Sequence, residues 1–283
     1  MNGKSVVITG ATSGIGEAAA LALAGMGARI VFMARDGAKG RSTLDRLTRA
    51  NPDAAHDFIE GELSTLAGMK AAAGALAAKA PTIDVLANNA GAIFDHREVT
   101  ADDLEKTFAV NHMAYFVVTE VLRPQLNPAG ARIVSTASGA HHAGRLDLAD
   151  LQSARGYSAM RAYGTSKLCN ILWTRELARR VTGSGVTANC FHPGGVNTGF
   201  GSNTKGVLKT VFALLGPVLL TPEKGAETLV WLASAPDVEG KTGGYYAKRR
   251  LTQPSAAARD DAAAARLWAE SERIAGLPET MPD

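Results

Sequence analysis

The sequence predicts an α/β domain: a doubly wound parallel sheet of about seven strands with helices on both faces. Three observations predict it. Short β-branched runs alternate with longer Ala/Leu-rich segments along the whole chain. The strand-like runs are apolar almost throughout, the pattern of strands buried on both faces. The first of them enters a glycine-rich turn that opens an apolar helix.

Residues 5–9 (SVVIT) read as the first strand and 14–26 as the first helix. Strand 28–34 (ARIVFMA) follows, then helix 39–50, strand 57–61 and helix 64–79. Next come strand 83–88 (IDVLAN), a long helix at 101–126 and strand 131–136 (ARIVST). Helix 158–181, strand 186–191 (VTANCF), helix 222–234, strand 244–247 and helix 259–275 complete the alternation. No Pro-, Gly- or Ser-rich linker divides the 283 residues, so one domain is expected. Ligands of such a sheet bind beyond the carboxyl ends of its strands. The informative residues therefore follow positions 9, 34, 61, 88, 136 and 191.

Composition narrows the function. The chain is 46% hydrophobic, and 30 Lys plus Arg against 27 Asp plus Glu leave a net charge of +3. This argues against disorder and against a nucleic-acid partner. The densest basic cluster, Lys248-Arg249-Arg250, reads as a solvated surface. Two cysteines, Cys169 and Cys190, cannot build a disulfide framework and suit a reducing, cytoplasmic compartment. No signal peptide is expected. The longest lipophilic stretch, 211–220, is broken by Gly216 and Pro217, and a spanning helix needs about twenty apolar residues.

The first turn reads Gly10-Ala11-Thr12-Ser13-Gly14-Ile15-Gly16. Glycines allow a tight turn and remove the Cβ atoms that would keep a pyrophosphate from the backbone. The helix behind them aims free N–H groups at that anion. Placed between a strand and a helix, the pattern predicts a nucleotide site. The second strand reports on which nucleotide. If it ends at Ala34, the next residue is Arg35, whose guanidinium suits the 2′-phosphate of NADP, with Ser13 adding a hydroxyl. If the register slips by two, Asp36 takes a ribose hydroxyl and the preference becomes NAD. The first register is favoured.

Tyr163 and Lys167 lie four apart in a predicted helix and share a face. A nearby ammonium favours phenolate and is expected to lower the tyrosine pKa toward neutrality, making Tyr163 a general acid or base. The bland alternative is a tyrosine packed on a lysine stem. Tyr157 and Arg161 repeat the spacing, but arginine is a poorer partner, so Tyr157 reads as structural or substrate-facing. Ser138, beyond strand 131–136, suits holding a carbonyl oxygen or capping a turn. Ser135, within the strand, is the weaker candidate. Asn111 is out of place by propensity in the middle of a helix. It is either a polar core residue or the holder of a relay water. His141, His142 and His192 show no metal-ligand spacing, and no metal is expected.

Together, Gly10-x3-Gly14-x-Gly16, Asn88-Asn89-Ala90-Gly91, Asn111, Ser138, Tyr163-x3-Lys167 and Pro193-Gly194 resemble the short-chain dehydrogenases/reductases over essentially the full length, and so a Rossmann-type sheet. Ala140-His141-His142, Leu168-Cys169-Asn170-Ile171-Leu172 and His192-Pro193-Gly194 resemble the retinol dehydrogenase-like and carbonyl reductase-like branch. The resemblance implies roles. Tyr163 would exchange the proton, Lys167 would lower its pKa and bind the nicotinamide ribose, Ser138 would orient the substrate oxygen, and Asn111 would hold a relay water. Asn89, Ala90 and Gly91 would line the cofactor. Pro193, Gly194, Val196 and Thr198 would frame its nicotinamide end.

This chain also departs from the family. Glu62-Leu63 stand where many members place Asp against the adenine. The stretch between Ser138 and Tyr163 is longer than in the simplest members, so it is expected to fold over the site or to obstruct a helix–helix interface, and monomer and homo-oligomer both stay open. No amino-terminal anchor is expected. Residues 199–221 are apolar at helical spacing and occupy the place of a substrate lid, or else they are core. The overall expectation is an NADP(H)-dependent oxidoreductase of a lipophilic aldehyde, ketone or alcohol. The rival expectations are an NAD-dependent alcohol dehydrogenase, a non-catalytic dinucleotide sensor and a sugar-nucleotide epimerase.

Overall fold

The computed structural model describes residues 1–196 and 219–277. Its sheet begins with β1 (Ser5–Thr9), β2 (Arg29–Ala34), β3 (Asp57–Glu60) and β4 (Val85–Asn88). It continues with β5 (Arg132–Thr136), β6 (Thr187–His192), β7 (Tyr245–Ala247) and β8 (Arg250–Leu251). The strand order is β3-β2-β1-β4-β5-β6-β7-β8. The first seven are mutually parallel, and β8 pairs antiparallel with β7. The expected seven strands are thus present. The eighth is a two-residue return after the Lys248-Arg249 turn, too short to show a period.

The order reverses between β1 and β4, opening the crevice where doubly wound sheets take their ligands. On one face lie α1 (Gly14–Gly25), α2 (Gly37–Ala50) and α7 (Pro222–Ser234). Ala19, Ala20 and Leu23 of α1 meet Leu229 and Leu232 of α7 in one apolar layer there. On the other face lie α3 (Leu66–Lys79), α5 (Ala114–Leu122), α6 (Ala159–Arg180) and α8 (Asp261–Ala275). Phe116, Trp173 and Trp268 anchor that layer, all three essentially inaccessible.

The expected long helix at 101–126 is not continuous. Residues 106–122 run as a short α4 (Lys106–Phe108), a π-helical turn (Ala109–Met113) and α5. Gln125 ends a following 3-10 turn, which opens at Arg123 with Pro124 inside it. Glu105 starts the helix instead of residue 101, its carboxylate accepting the N–H groups of Thr107 and Phe108, both at 2.8 Å. The other boundaries differ from the expected ones by one or two residues, as frayed ends do.

Of the helices, α6 matters most for the site. It leans on the turn after β5 through Gly144 and Gly164, where a Cβ on Gly164 would stand 2.6 Å from the Ala140 carbonyl oxygen. That close approach brings Tyr163 to the carboxyl end of β5.

Candidate active site

The glycine turn is closed by contacts that exclude any side chain. Gly10 leaves β1 with φ at +70°. A Cβ on Gly16 would lie 2.1 Å from the Gly10 carbonyl oxygen and 2.4 Å from Asn89 Nδ2. Asn89 donates from that nitrogen to the carbonyls of Thr9 and Gly10, at 3.3 and 3.2 Å. The Thr9 hydroxyl in turn accepts the N–H groups of Asn89 and Ala90. Ser13 stands at the N-cap of α1 but makes no side-chain cap bond, so its exposed hydroxyl is free. Thr12 and Ile15 stand beside the first turn of α1, whose N–H groups have no intrahelical partner, the kind of helix start that favours an anion.

β2 ends at Ala34, in the first of the two expected registers. Arg35 follows it, exposed. Asp36 is engaged elsewhere, since its carboxylate caps α2 by accepting the N–H groups of Ala38 and Lys39 at 2.8 and 3.1 Å. Those donors hold its carboxyl below the usual range. The slipped register therefore does not occur. At the next strand, Glu62 turns its carboxylate onto the N–H of Ser64 at 2.5 Å. Leu63 is 4% exposed, and its side chain belongs to the same core cluster as Met69 of α3.

At the carboxyl ends of β4 and β5 the predicted catalytic residues converge. The Tyr163 hydroxyl hydrogen-bonds Ser138. Ser138 also caps the 3-10 turn Gly139–Ala143 by accepting the N–H of Ala140 at 3.1 Å. The capping reading of Ser138 holds, and its hydroxyl also meets Tyr163, because a hydroxyl can serve two partners. Lys167 Nζ is buried and donates to the Thr136 carbonyl at 2.9 Å. It also lies over two rings, 5.4 Å from the centre of Tyr115 and 5.7 Å from that of Tyr163. A Cβ on Gly91 would stand 3.4 Å from this nitrogen, so the Asn89–Gly91 turn passes beside the lysine.

The expected lowering of the Tyr163 pKa does not appear. Burial pushes the phenol up to about 12, against the opposing Ser138 hydrogen bond. Burial pulls Lys167 down to about 7. In a low-dielectric centre both charged forms are disfavoured, and that outweighs their mutual attraction.

Asn111 sits in the π-helical turn and is fully buried. Its amide is saturated: Oδ1 accepts the Ala92 N–H at 2.8 Å, and Nδ2 donates to the Ala92 carbonyl and to Ser166 Oγ at 2.9 and 3.0 Å. Its main-chain carbonyl accepts from Asn170 Nδ2 at 2.9 Å. Asn170 was named in the sequence only as part of a motif, with no role, and Tyr115 not at all. Asn170 is three residues after Lys167 and so on the same face, a spacing that was legible. Nothing along the chain points to Tyr115.

Beyond β6, Pro193, Gly194 and Val196 border the crevice, partly exposed. Val196 and Ile15 close together over Gly225, where a Cβ would meet them at 2.6 and 3.2 Å. Leu220 and Leu219 stand against Gly194 and Gly195. Thr198 and the expected lid up to residue 218 lie outside the described residues. Tyr157 is structural, its hydroxyl donating to the Phe94 carbonyl at 2.7 Å. His141 is buried against the Ser138 turn, while His142 is exposed. Among the described residues no group of His, Cys, Asp and Glu could hold a metal ion, and no helix is long and apolar enough to cross a membrane.

Known proteins agree with this geometry. Residues 4–206 match the family model described as short chain dehydrogenase. The chain is 43% identical over 97% of its length, and 93% of the relative, to a protein named "Putative daunorubicin C-13 ketoreductase DnrU" from Streptomyces sp. (strain C5). It is 37% identical to mouse (Mus musculus) retinol dehydrogenase 14, over 98% of this chain and 87% of that one. The Pseudomonas aeruginosa RhlG/NADP active-site complex superposes with a TM-score of 0.69 at 26% identity, covering 87% of this chain and 94% of that one. The glycine turn, the Tyr163–Lys167 pair and these matches have one reading: the chain belongs to the short chain dehydrogenases, oxidoreductases of CH–OH and C=O groups.

Proposed function

We propose that the protein is an NADP(H)-dependent reductase of lipophilic aldehydes or ketones, acting in the cytoplasm. The observation that carries this reading is the Tyr163 hydroxyl bonded to Ser138, one helical turn from the buried Lys167. The dinucleotide fits the residues present. A side chain at Gly10 or Gly16 would collide with Ala90, with the Gly10 carbonyl or with Asn89, and Gly14 takes φ at +58°, so the turn stays tight enough for its backbone to approach a pyrophosphate, with Thr12, Ser13 and Ile15 completing it. Arg35 offers an unpaired guanidinium for a 2′-phosphate, while the competing Asp36 carboxylate is held by α2. The RhlG/NADP complex supports the same preference. Asn89, Ala90 and Gly91 would flank the middle of the cofactor, and Pro193, Gly194, Val196 and Thr198 its far end. Glu62 would reach the adenine side.

When bound, the dinucleotide supplies or accepts the hydride. The chain's own side chains do the rest. Ser138 and Tyr163 hydrogen-bond the substrate oxygen. With its pKa at about 12, Tyr163 is protonated at neutral pH, the state that a proton donor to a developing alkoxide needs. The phenolic proton of Tyr163 passes to the substrate oxygen, and the hydride that balances it at carbon would be supplied by the dinucleotide, so that the carbonyl becomes an alcohol. Lys167, at about 7, restores a proton toward the phenolate. Asn111 holds the Ala92 loop and the backbone carbonyl path around that lysine. The apolar wall of Leu219 and Leu220 beside Gly194 supports a lipophilic substrate.

The test is depletion of NADPH, with NADH in parallel, against retinal, aliphatic aldehydes, aryl ketones, quinones and a keto-steroid. Turnover of a lipophilic member with NADPH is expected. Turnover with NADH alone would overturn the cofactor preference, and silence throughout would overturn the reductase reading.

A further inference from the structure

The peptide group that follows Ser138 is gripped at both of its polar atoms by imidazoles. The Ser138 carbonyl accepts from His141 Nδ1 at 2.7 Å. The Gly139 N–H donates to His192 Nδ1 at 3.0 Å. The tautomers follow from the other ring atoms. His141 Nε2 accepts the N–H of Ser255 at 3.1 Å, so His141 carries its proton on Nδ1. His192 Nδ1 accepts from Gly139 and also faces the N–H of Gly194 at 3.4 Å, so its proton is on Nε2. Both rings must be neutral to do this, and burial lowers the pKa of each. The fit is tight: a Cβ on Gly139 would lie 3.2 Å from His192 Nε2.

We propose that His192 and His141 are positioning residues for Ser138, holding the Ser138–Gly139 peptide plane so that the serine hydroxyl stays aimed at Tyr163. A peptide group has one donor and one acceptor, and here both are bound from opposite sides. The plane cannot rotate without breaking one of them. The Ser138 side chain branches from the adjacent Cα, so its direction follows the plane. Through His192 the same grip reaches Gly194, which borders the far end of the crevice. Through His141 it reaches Ser255, beyond β8. Neither ring touches the reacting atoms. The inference rests on the proposed reductase reading for its catalytic consequence, but not for the grip itself.

The test uses the full chain with three substitutions. His192→Asn keeps an acceptor where Nδ1 stands. His192→Gln has the better-matched length but moves its acceptor to the place of Nε2. His192→Leu has no acceptor. Hydrogen–deuterium exchange of the segment around Gly139 is measured without cofactor, and kcat, KM and the NADPH Kd are measured with it. Protection is expected to survive in His192→Asn and to fall in His192→Gln and His192→Leu. In those two, kcat is expected to drop by about tenfold or more with the NADPH Kd little changed, while His192→Asn stays within about threefold of the parent. A role in packing alone predicts the opposite order, with Gln the best tolerated. Unchanged protection in His192→Leu, or equal kcat in all three, would overturn the proposal. If the parent protein turns over no carbonyl, the reductase reading fails, and the exchange pattern still decides whether the grip exists.

Discussion

Lys167 and Tyr163 share a helix face, yet Lys167 Nζ bonds the Thr136 carbonyl at 2.9 Å and stands 5.7 Å from the centre of the Tyr163 ring. The lysine is thus anchored to the sheet, one step removed from the phenol. Burial keeps Tyr163 protonated, with its pKa at about 12. Tyr163→Phe removes the proton donor and little volume. Its kcat is expected to fall by at least about a hundredfold, the scale of general acid catalysis, with the NADPH Kd unchanged within error. Steady-state kinetics beside a fluorescence titration checks this, and retained turnover refutes the proton-donor role.

Arg35 and Asp36 are neighbours with separable duties. Arg35→Ala is expected to weaken NADPH by about tenfold or more and to leave NADH nearly untouched, since one charge-assisted contact contributes about 1.5–3 kcal/mol. Asp36→Ala is expected to do the reverse of a cofactor-site change. It removes the α2 cap and lowers stability, with no shift in the NADPH to NADH ratio. Titrations with both dinucleotides and a denaturation curve separate the two. Equal loss of both cofactors in Arg35→Ala sinks the phosphate assignment.

Gly16 is the most constrained glycine of the turn. Gly16→Ala would press a methyl group into the Gly10 carbonyl and the Asn89 amide, at 2.1 and 2.4 Å. Both are backbone or backbone-bound groups, so the turn must open. Loss of dinucleotide binding is expected, with far-UV circular dichroism preserved. Ordinary NADPH affinity in this variant would show that the turn is not the cradle.

His112 predicts acid sensitivity. It is fully buried, and burial lowers its pKa from 6.5 to about 4. The unfolded chain therefore binds the proton first. The stability that neutral His112 contributes is complete above pH 6.5 and is lost as the pH falls toward 4. The shift corresponds to about 3 kcal/mol as an order of magnitude. Urea unfolding of the parent between these pH values is expected to show that slope. His112→Gln, which cannot charge, is expected to flatten it, and an unchanged slope would move the effect to another group.

Much of the architecture was legible along the chain. The seven parallel strands and the helices between them follow from apolar runs and caps that each segment carries itself. The glycine turn and the Tyr163–Lys167 spacing are equally local, because one helical turn fixes which residues share a face. Two strand ends were open along the chain, and the structure places the end of β2 at Ala34, with the Asp36 carboxylate capping α2.

Other features depend on groups far apart in sequence. The break at Ala109–Met113 places the Asn111 amide on Ala92 and Ser166, partners nineteen and fifty-five residues away. Leu63 is buried in the core cluster that includes Met69 of α3, a partnership set by tertiary packing. The Tyr163 pKa moved opposite to the pairwise expectation. A neighbouring ammonium is visible in a sequence, but the loss of water around both groups is not. His192 and His141 showed no metal-ligand spacing along the chain, and in the structure both hydrogen-bond the peptide group between Ser138 and Gly139. Local periodicity determines elements and spacing, because its interactions span a few residues. Burial and hydrogen-bond partnership are decided only when the sheet brings β4, β5, β6 and α6 to one crevice.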